Sequence, residues 1–323
     1  MKWPGFLFAF VLLGLANIAW PQANKIPVIG VLMVSAGPED PIFQSMRAGM
    51  LERGYVKDRD YRIEHRTARG QVERLPQLAR ELVDLKVDVI VVSLEPVVRI
   101  LKGLTSTIPI PIVIVSYDHD PVASGFVVSL GRPGGNITGI ASRIPDLVGK
   151  RLEILKETLP GVNRVAVFWD AFSRGQLDKL APAARALGIE LERIELTGNY
   201  DIESAYILAE QRKCAATFML LSPRFFVRRM EFEPLALKHR LPTAHYDETV
   251  VKRGGLMSYG PSNADLFKRA AYFIDRIFKG TAPKDLPIEQ EEGLKLVVNQ
   301  KTAKALGIKV PESILLRADE VIR

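Results

Sequence analysis

SLGRPGGNITGIASR, residues 129–143, places four glycines and a proline near the middle of the chain. Read as a phosphate-cradling loop, it would make the protein a nucleotide enzyme. Read as a turn, a strand and an exit, it would divide the chain into two units. A dinucleotide fingerprint needs G-x-G-x-x-G directly after a strand and opening a helix, so that the helix N-terminus meets the pyrophosphate. Gly131, Gly134, Gly135 and Gly139 do not have that spacing, NITGIA is strand-like, and no G-K-[ST] occurs anywhere in the chain. RPGGN reads instead as a tight turn, with φ fixed by Pro133 and positive φ supplied by Gly134. The stretch is expected to leave one domain for another.

Outward from it, both flanks show the same alternation. Before it, IPVIGVLMVS (26–35), YRIEHRTA (61–68), VDVIVVS (87–93) and IPIVIVSY (110–117) are strand-like, with amphipathic helical stretches between them. Beyond it come NRVAVFWD (163–170), IELERIEL (189–196), AATFMLLS (215–222), LPTAHYD (241–247) and GLMSYGP (255–261). Short Val/Ile-rich runs separated by helices are the pattern of parallel sheets covered on both faces. The fold class is α/β, with two Rossmann-like assemblies in series. FFVRRMEFEPLALKHR (225–240) reads as one helix, and the tail reads as short helices around 303–306 and 312–323.

The chain has 323 residues, 47% hydrophobic and 25% charged, as in a soluble protein of two ordinary domains. Residues 1–23 carry Lys2, an apolar run from Phe6 to Ile18 and then small residues, the layout of a signal peptide, with an uncleaved anchor as the alternative. No cysteine lies there, so a lipoprotein anchor is excluded. The single Cys214 allows no internal disulfide and no metal cluster. The net charge of +7 is spread among interleaved acids, as in KRLEILKE, which argues against a nucleic-acid surface. No H-E-x-x-H or G-x-S-x-G pattern occurs, so no catalytic residue, cofactor or metal is assigned. His119, between Asp118 and Asp120, is the one cluster that could do acid–base work.

Open α/β sheets bind ligands beyond the carboxyl ends of their strands. Those ends carry Ser35, Ser93, Leu94, Glu95, Tyr117, Asp118 and Ser142 before the second assembly, and Asp170, Ser222, Tyr246 and Asp247 within it. Each serine could equally cap a helix, and each aromatic could be rim packing. Together they could form two walls of one cleft. Helix N-termini would suit a ligand carboxylate, and the acids an ammonium group.

Five blocks, in order, resemble one family: DPVASGFVVSLGRPGGNITGI, GKRLEILKETLPGVNRVAVFWD, HRLP at 239–242, GGLMSYGP, and KTAKALGIKVPESILLRADEVI. It is the family of ABC transporter substrate-binding proteins that includes tryptophan- and tyrosine-uptake components. The resemblance implies a type I periplasmic binding protein with a three-segment hinge. Lobe I would hold residues 25–143 and 261–287, and lobe II residues 144–260 and 288–323. It also implies a monomeric, periplasmic receptor for an amino acid or related small molecule, delivering to an ABC permease with its ATPase. A sensory protein or an exported enzyme on the same scaffold are the alternatives. The loop after the third strand reads Ser93-Leu94-Glu95-Pro96 where the family usually has a Thr-Pro-Ala-like run, and an acid there would favour an amino-bearing ligand.

Overall fold

The computed structural model describes residues 25–106, 109–116, 120–142, 144–291 and 293–323. The expected signal peptide, Tyr117, Asp118 and His119 lie outside the described residues. Thirteen strands form two sheets among those described. The first contains β1 (Val28–Met33), β2 (Arg62–Thr67), β3 (Val89–Val92), β4 (Ile112–Ser116), β5 (Ile137–Ala141) and β11 (Glu289–Gln290), in the order β11-β5-β4-β3-β1-β2, all parallel. The second contains β6 (Arg164–Trp169), β7 (Glu190–Glu195), β8 (Ala216–Met219), β9 (Thr243–His245), β10 (Met257–Pro261), β12 (Leu294–Asn299) and β13 (Glu320–Ile322), in the order β13-β12-β10-β9-β8-β6-β7. Only β12 against β10 is antiparallel.

Helices cover both faces of the sheets. The first sheet is served by α1 (Pro41–Leu51), α2 (Leu75–Asp84) and α3 (Glu95–Leu104). The second is served by α4 (Val148–Thr158), α5 (Arg174–Ala186), α6 (Ile202–Gln211), α7 (Pro223–Val227), α8 (Arg229–Lys238) and α9 (Glu248–Val251). After β10 the chain returns to the first lobe as α10 (Asn263–Phe278), which lies against α1 with Phe43 and Phe267 edge to face at 5.5 Å. It ends on the second sheet with α11 (Gln300–Leu306) and α12 (Glu312–Arg317). Strands β1, β3 and β4 are almost wholly apolar because both of their faces are covered.

The glycine-rich stretch behaves as a turn followed by strand β5, after which the chain leaves the first lobe. Gly134 has φ 79°, open only to glycine at little cost. Gly139 lies within β5 at φ 130°, and a Cβ there would come within 2.2 Å of the Ile114 carbonyl oxygen. The chain then enters the second lobe through a short turn of helix at Ile144–Asp146. Of the three passages between sheets, the last comes later than the 287/288 boundary suggests. Glu289 and Gln290 pair with β5, and the Glu291 N–H donates to Ala141 O at 3.0 Å.

Two local expectations are corrected. Residues 225–240 are not one helix, since the backbone at Arg228 (φ −100°, ψ 13°) separates α7 from α8, which ends at Lys238. The C-terminal helix ends at Arg317, and Glu320–Ile322 add a strand in register with Val297–Asn299. There the Asp319 carboxylate and backbone lock onto Leu296 from both sides, its N–H donating to Leu296 O at 2.9 Å and its Oδ2 accepting from Leu296 N at 2.8 Å.

Candidate functional site

The strand orders β2-β1-β3-β4-β5 and β7-β6-β8-β9-β10 each reverse direction of growth beside the first strand of the lobe. In such sheets the crevice outside that switch point is where ligands sit. The segments following β1 (Met33 to Ala36) and β3 (Ser93, Leu94) form one wall of a narrow crevice. The second lobe supplies the other wall from the segments after β8 (Leu221, Ser222, Pro223), β9 (Tyr246) and α7 (Phe226). Ile42, Asn263 and Phe267 complete the lining. The crevice holds about 450 Å³ of unfilled space, its open mouth included. Leu221 and Tyr246, from the second lobe, belong to the same buried apolar cluster as the first lobe's core. The lobes are therefore closed on one another.

The polar groups around this apolar slot differ in what they can offer. The Ser93 hydroxyl donates to Met33 Sδ at 3.3 Å, a weak partner easily exchanged. Leu94 stands at the N-cap of α3 with φ 76° and ψ 139°, a sparsely populated conformation for a non-glycine residue. A leucine cannot accept from the first N–H groups of a helix, so the N-terminus of α3 has no side-chain cap where it meets the crevice. Tyr246 is 4% exposed, and its buried hydroxyl has no hydrogen-bond partner among the described residues. Burial, with Asp247 nearby, keeps that phenol protonated far above the ordinary tyrosine range.

Behind the second wall lies a fully committed carboxylate. Asp170 Oδ1 accepts from Ser173 N and Oγ at 3.0 Å each, and Oδ2 accepts from Tyr200 OH at 2.9 Å and Ser222 Oγ at 2.5 Å. Burial and the Asp170 charge push the Tyr200 phenol up to about 12. Gln176 holds the same loop, donating to Leu221 O at 2.7 Å and accepting from its N–H at 3.0 Å. Asp170 thus fills the second lobe's own switch point and fixes Ser222, which caps α7. Deeper still, Arg151 of α4 is wholly buried, its guanidinium over the Phe218 ring at 4.5 Å with Nη2 donating to Met219 O at 3.1 Å. Desolvation lowers it to about 9.

Of the sequence candidates, Ser35, Ser93, Leu94, Ser222 and Tyr246 line the crevice together. Ser142 is buried at the end of β5 and does not line it. Asp247 is 1% exposed and caps α9, with Oδ1 accepting from Thr249 N at 2.9 Å. Glu95 does not line the crevice itself: its carboxylate pairs with Arg99 one helical turn on, and it lines an adjoining depression with Phe172 and Lys179 that shares Leu221 and Pro223 with the crevice. Phe226, Asn263 and Phe267 escaped the sequence reading. The first is hidden by the unpredicted break between α7 and α8, and the other two sit on α10, whose return to the first lobe is a long-range event.

Two α/β lobes, three passages between them and a closed crevice at paired switch points constitute a type I periplasmic binding protein. The chain belongs to the ABC transporter substrate binding protein family, whose model matches residues 26–322. It is similar to the tyrosine-binding protein of Clostridioides difficile, 22% identical over 84% of this chain and 79% of that protein. Among solved structures, a conserved domain protein from Vibrio cholerae superposes with a TM-score of 0.81 at 26% identity, covering 92% of this chain and all of the other. An ABC domain from Streptococcus pneumoniae in complex with L-Trp superposes with a TM-score of 0.80 at 25% identity, covering 92% of this chain and 99% of that one.

Proposed function

We propose that this chain is the periplasmic receptor of an ABC importer, exported by its first 23 residues, acting as a monomer and without covalent chemistry. It delivers an amino acid with a large apolar or aromatic side chain to a permease driven by its ATPase. The observation that carries the reading is the lining of the crevice. Met33, Ile42, Leu221, Phe226 and Phe267 offer a slot for an apolar or planar group, while among the described residues the polar lining consists of hydroxyls, one amide and the uncapped start of α3. A carboxylate fits that start, where backbone N–H groups and the helix dipole favour negative charge, with the Ser93 hydroxyl beside it. The tyrosine-binding and L-Trp-bound relatives support the same class of ligand. Entry requires the lobes to part, and the ligand then stabilises the closed form by touching both walls.

The test is thermal stabilisation against a panel of amino acids. A ligand at a hundred times its Kd adds about 2.7 kcal/mol, a shift of a few degrees for a protein of this size. L-Tryptophan, L-tyrosine, L-phenylalanine or L-leucine are expected to give it and L-lysine and L-glutamate to give none. No shift with any amino acid refutes the reading.

A further inference from the structure

We propose that Arg229 is the residue that sets how firmly the two lobes close, acting as a positioning residue that latches lobe II to Asp40 of lobe I and holds Phe226 in the crevice wall. The proposal extends the solute-receptor reading and rests on it for its functional meaning.

Arg229 opens α8, directly after the break that the sequence did not announce. Its Nη2 donates to Asp40 Oδ2 at 3.0 Å, joining residues 189 positions apart on opposite lobes. Both side chains are almost withdrawn from water, 13% and 12% exposed. Its Nη1 donates to the Phe226 carbonyl at 2.8 Å, and the guanidinium lies over the Phe226 ring 3.9 Å from the centroid. One planar cation therefore holds a crevice aromatic by ring and backbone, and simultaneously grips the other lobe. The junction of α7 and α8 is seated on lobe I on its other side as well, since a Cβ at Gly70 would come within 3.1 Å of Val227 Cγ2. Asp247 Oδ2 lies 3.8 Å from Arg229 Nε, beyond hydrogen-bonding range, and has no hydrogen-bond partner of its own. The Asp40 contact is thus the directed ion pair made by this cation, and it exists only while the lobes are together. Among the described residues, the other ion pair from lobe to lobe is Lys295–Asp265, beside the chain crossing, where closure changes separations least.

Asp40 allows a clean test because it has a second duty that asparagine preserves. Its Oδ1 caps α1 by accepting from Ile42 N at 3.2 Å, and Asn is as good an N-cap as Asp. Asp40→Asn removes the charge from the latch and keeps the helix start. The full chain, carrying Cys214→Ser with spin labels at Leu85→Cys on lobe I and Leu316→Cys on lobe II, is measured without ligand by pulsed dipolar spectroscopy, alongside small-angle scattering of the unlabelled protein. Asp40→Asn is expected to reduce the closed-to-open ratio about tenfold, the order expected for one charge-assisted hydrogen bond. Melting of the variant should match that of the parent, since neither lobe's interior is touched. Arg229→Gln should produce a similar opening, and the double variant no more than either alone. In a second arm, release of L-tryptophan is expected to quicken about tenfold in Asp40→Asn.

An interlobe distance distribution and scattering curve unchanged by Asp40→Asn overturn the latch, as does a fall in melting temperature without opening, or additive effects of the two substitutions. Failure of L-tryptophan and the other amino acids to bind the parent protein refutes the ligand reading instead, while the ligand-free distances still judge the latch.

Discussion

Replacing Asp170 tests whether the second wall of the crevice is built by a buried carboxylate or merely decorated with one. Four donors converge on it: Ser173 N, Ser173 Oγ, Tyr200 OH and Ser222 Oγ, at 2.5 to 3.0 Å. In Asp170→Ala all four lose the carboxylate in a site only 1% exposed. The Ser173 N–H and hydroxyl keep the Asp170 carbonyl at 3.1 and 3.2 Å, which leaves the buried Tyr200 and Ser222 hydroxyls as the groups short of an acceptor. Each buried group left unsatisfied costs about 1–3 kcal/mol, so the loss should be about 3–5 kcal/mol. Asp170→Asn is expected to cost less, about 1–2 kcal/mol, for a geometric reason. Its amide oxygen can remain on Ser173, while its NH2 faces Tyr200 and Ser222, hydroxyls that can turn to accept. That turn re-aims the Ser222 hydroxyl at the crevice, so ligand affinity should fall in Asp170→Asn even where the fold survives. Urea unfolding followed by the emission of the adjacent Trp169, with calorimetric titration of the ligand, measures both quantities. Equal destabilisation by Ala and Asn, or a loss below about 1 kcal/mol for Ala, refutes the reasoning.

Gly139→Ala should unfold the first lobe or cost more than about 3 kcal/mol, because φ 130° is hostile to a side chain and the new Cβ meets the Ile114 backbone at 2.2 to 3.0 Å; circular dichroism melting checks it. Glu233 is 2% exposed, both oxygens lack partners, and burial pushes its carboxyl up to about 8 from an ordinary 4.5. Between those values the unfolded chain has lost the proton and the folded one has kept it, so stability falls as pH rises. Glu233→Gln should therefore gain on the parent by up to several kcal/mol from pH 4.5 to about 8 and then level off; a pH-independent difference in chemical denaturation would contradict this. Phe226→Ala removes a crevice wall and the surface under Arg229, and should weaken the bound amino acid at least about tenfold by titration calorimetry while leaving secondary structure intact.

The alternation of apolar runs and amphipathic stretches by itself determined that this chain builds two covered, largely parallel sheets, with SLGRPGGNITGIASR as a turn, a strand of the first and the road to the second. Burial on both faces leaves a mark at every residue of a strand such as Val89–Val92, so the information is local. It also placed Ser35, Ser93, Leu94, Ser222 and Tyr246 at the crevice, because a strand's carboxyl end is known once the strand is. Only the tertiary structure decided what the polar residues at those ends do. Asp170 looks as available as Ser222 in the sequence, yet Ser173 three residues on, together with the distant Tyr200 and Ser222 itself, has consumed it. Glu95 follows Leu94 directly in the sequence, and only the structure shows its carboxylate paired with Arg99 one turn along its own helix. Arg229 sits in a basic run resembling any solvated helix face, and acquires its meaning from Asp40, brought opposite by the closing of the lobes. A side chain's direction depends on who satisfies it, and for Asp170 and Arg229 the deciding partners, Tyr200, Ser222 and Asp40, come from segments far away in the chain.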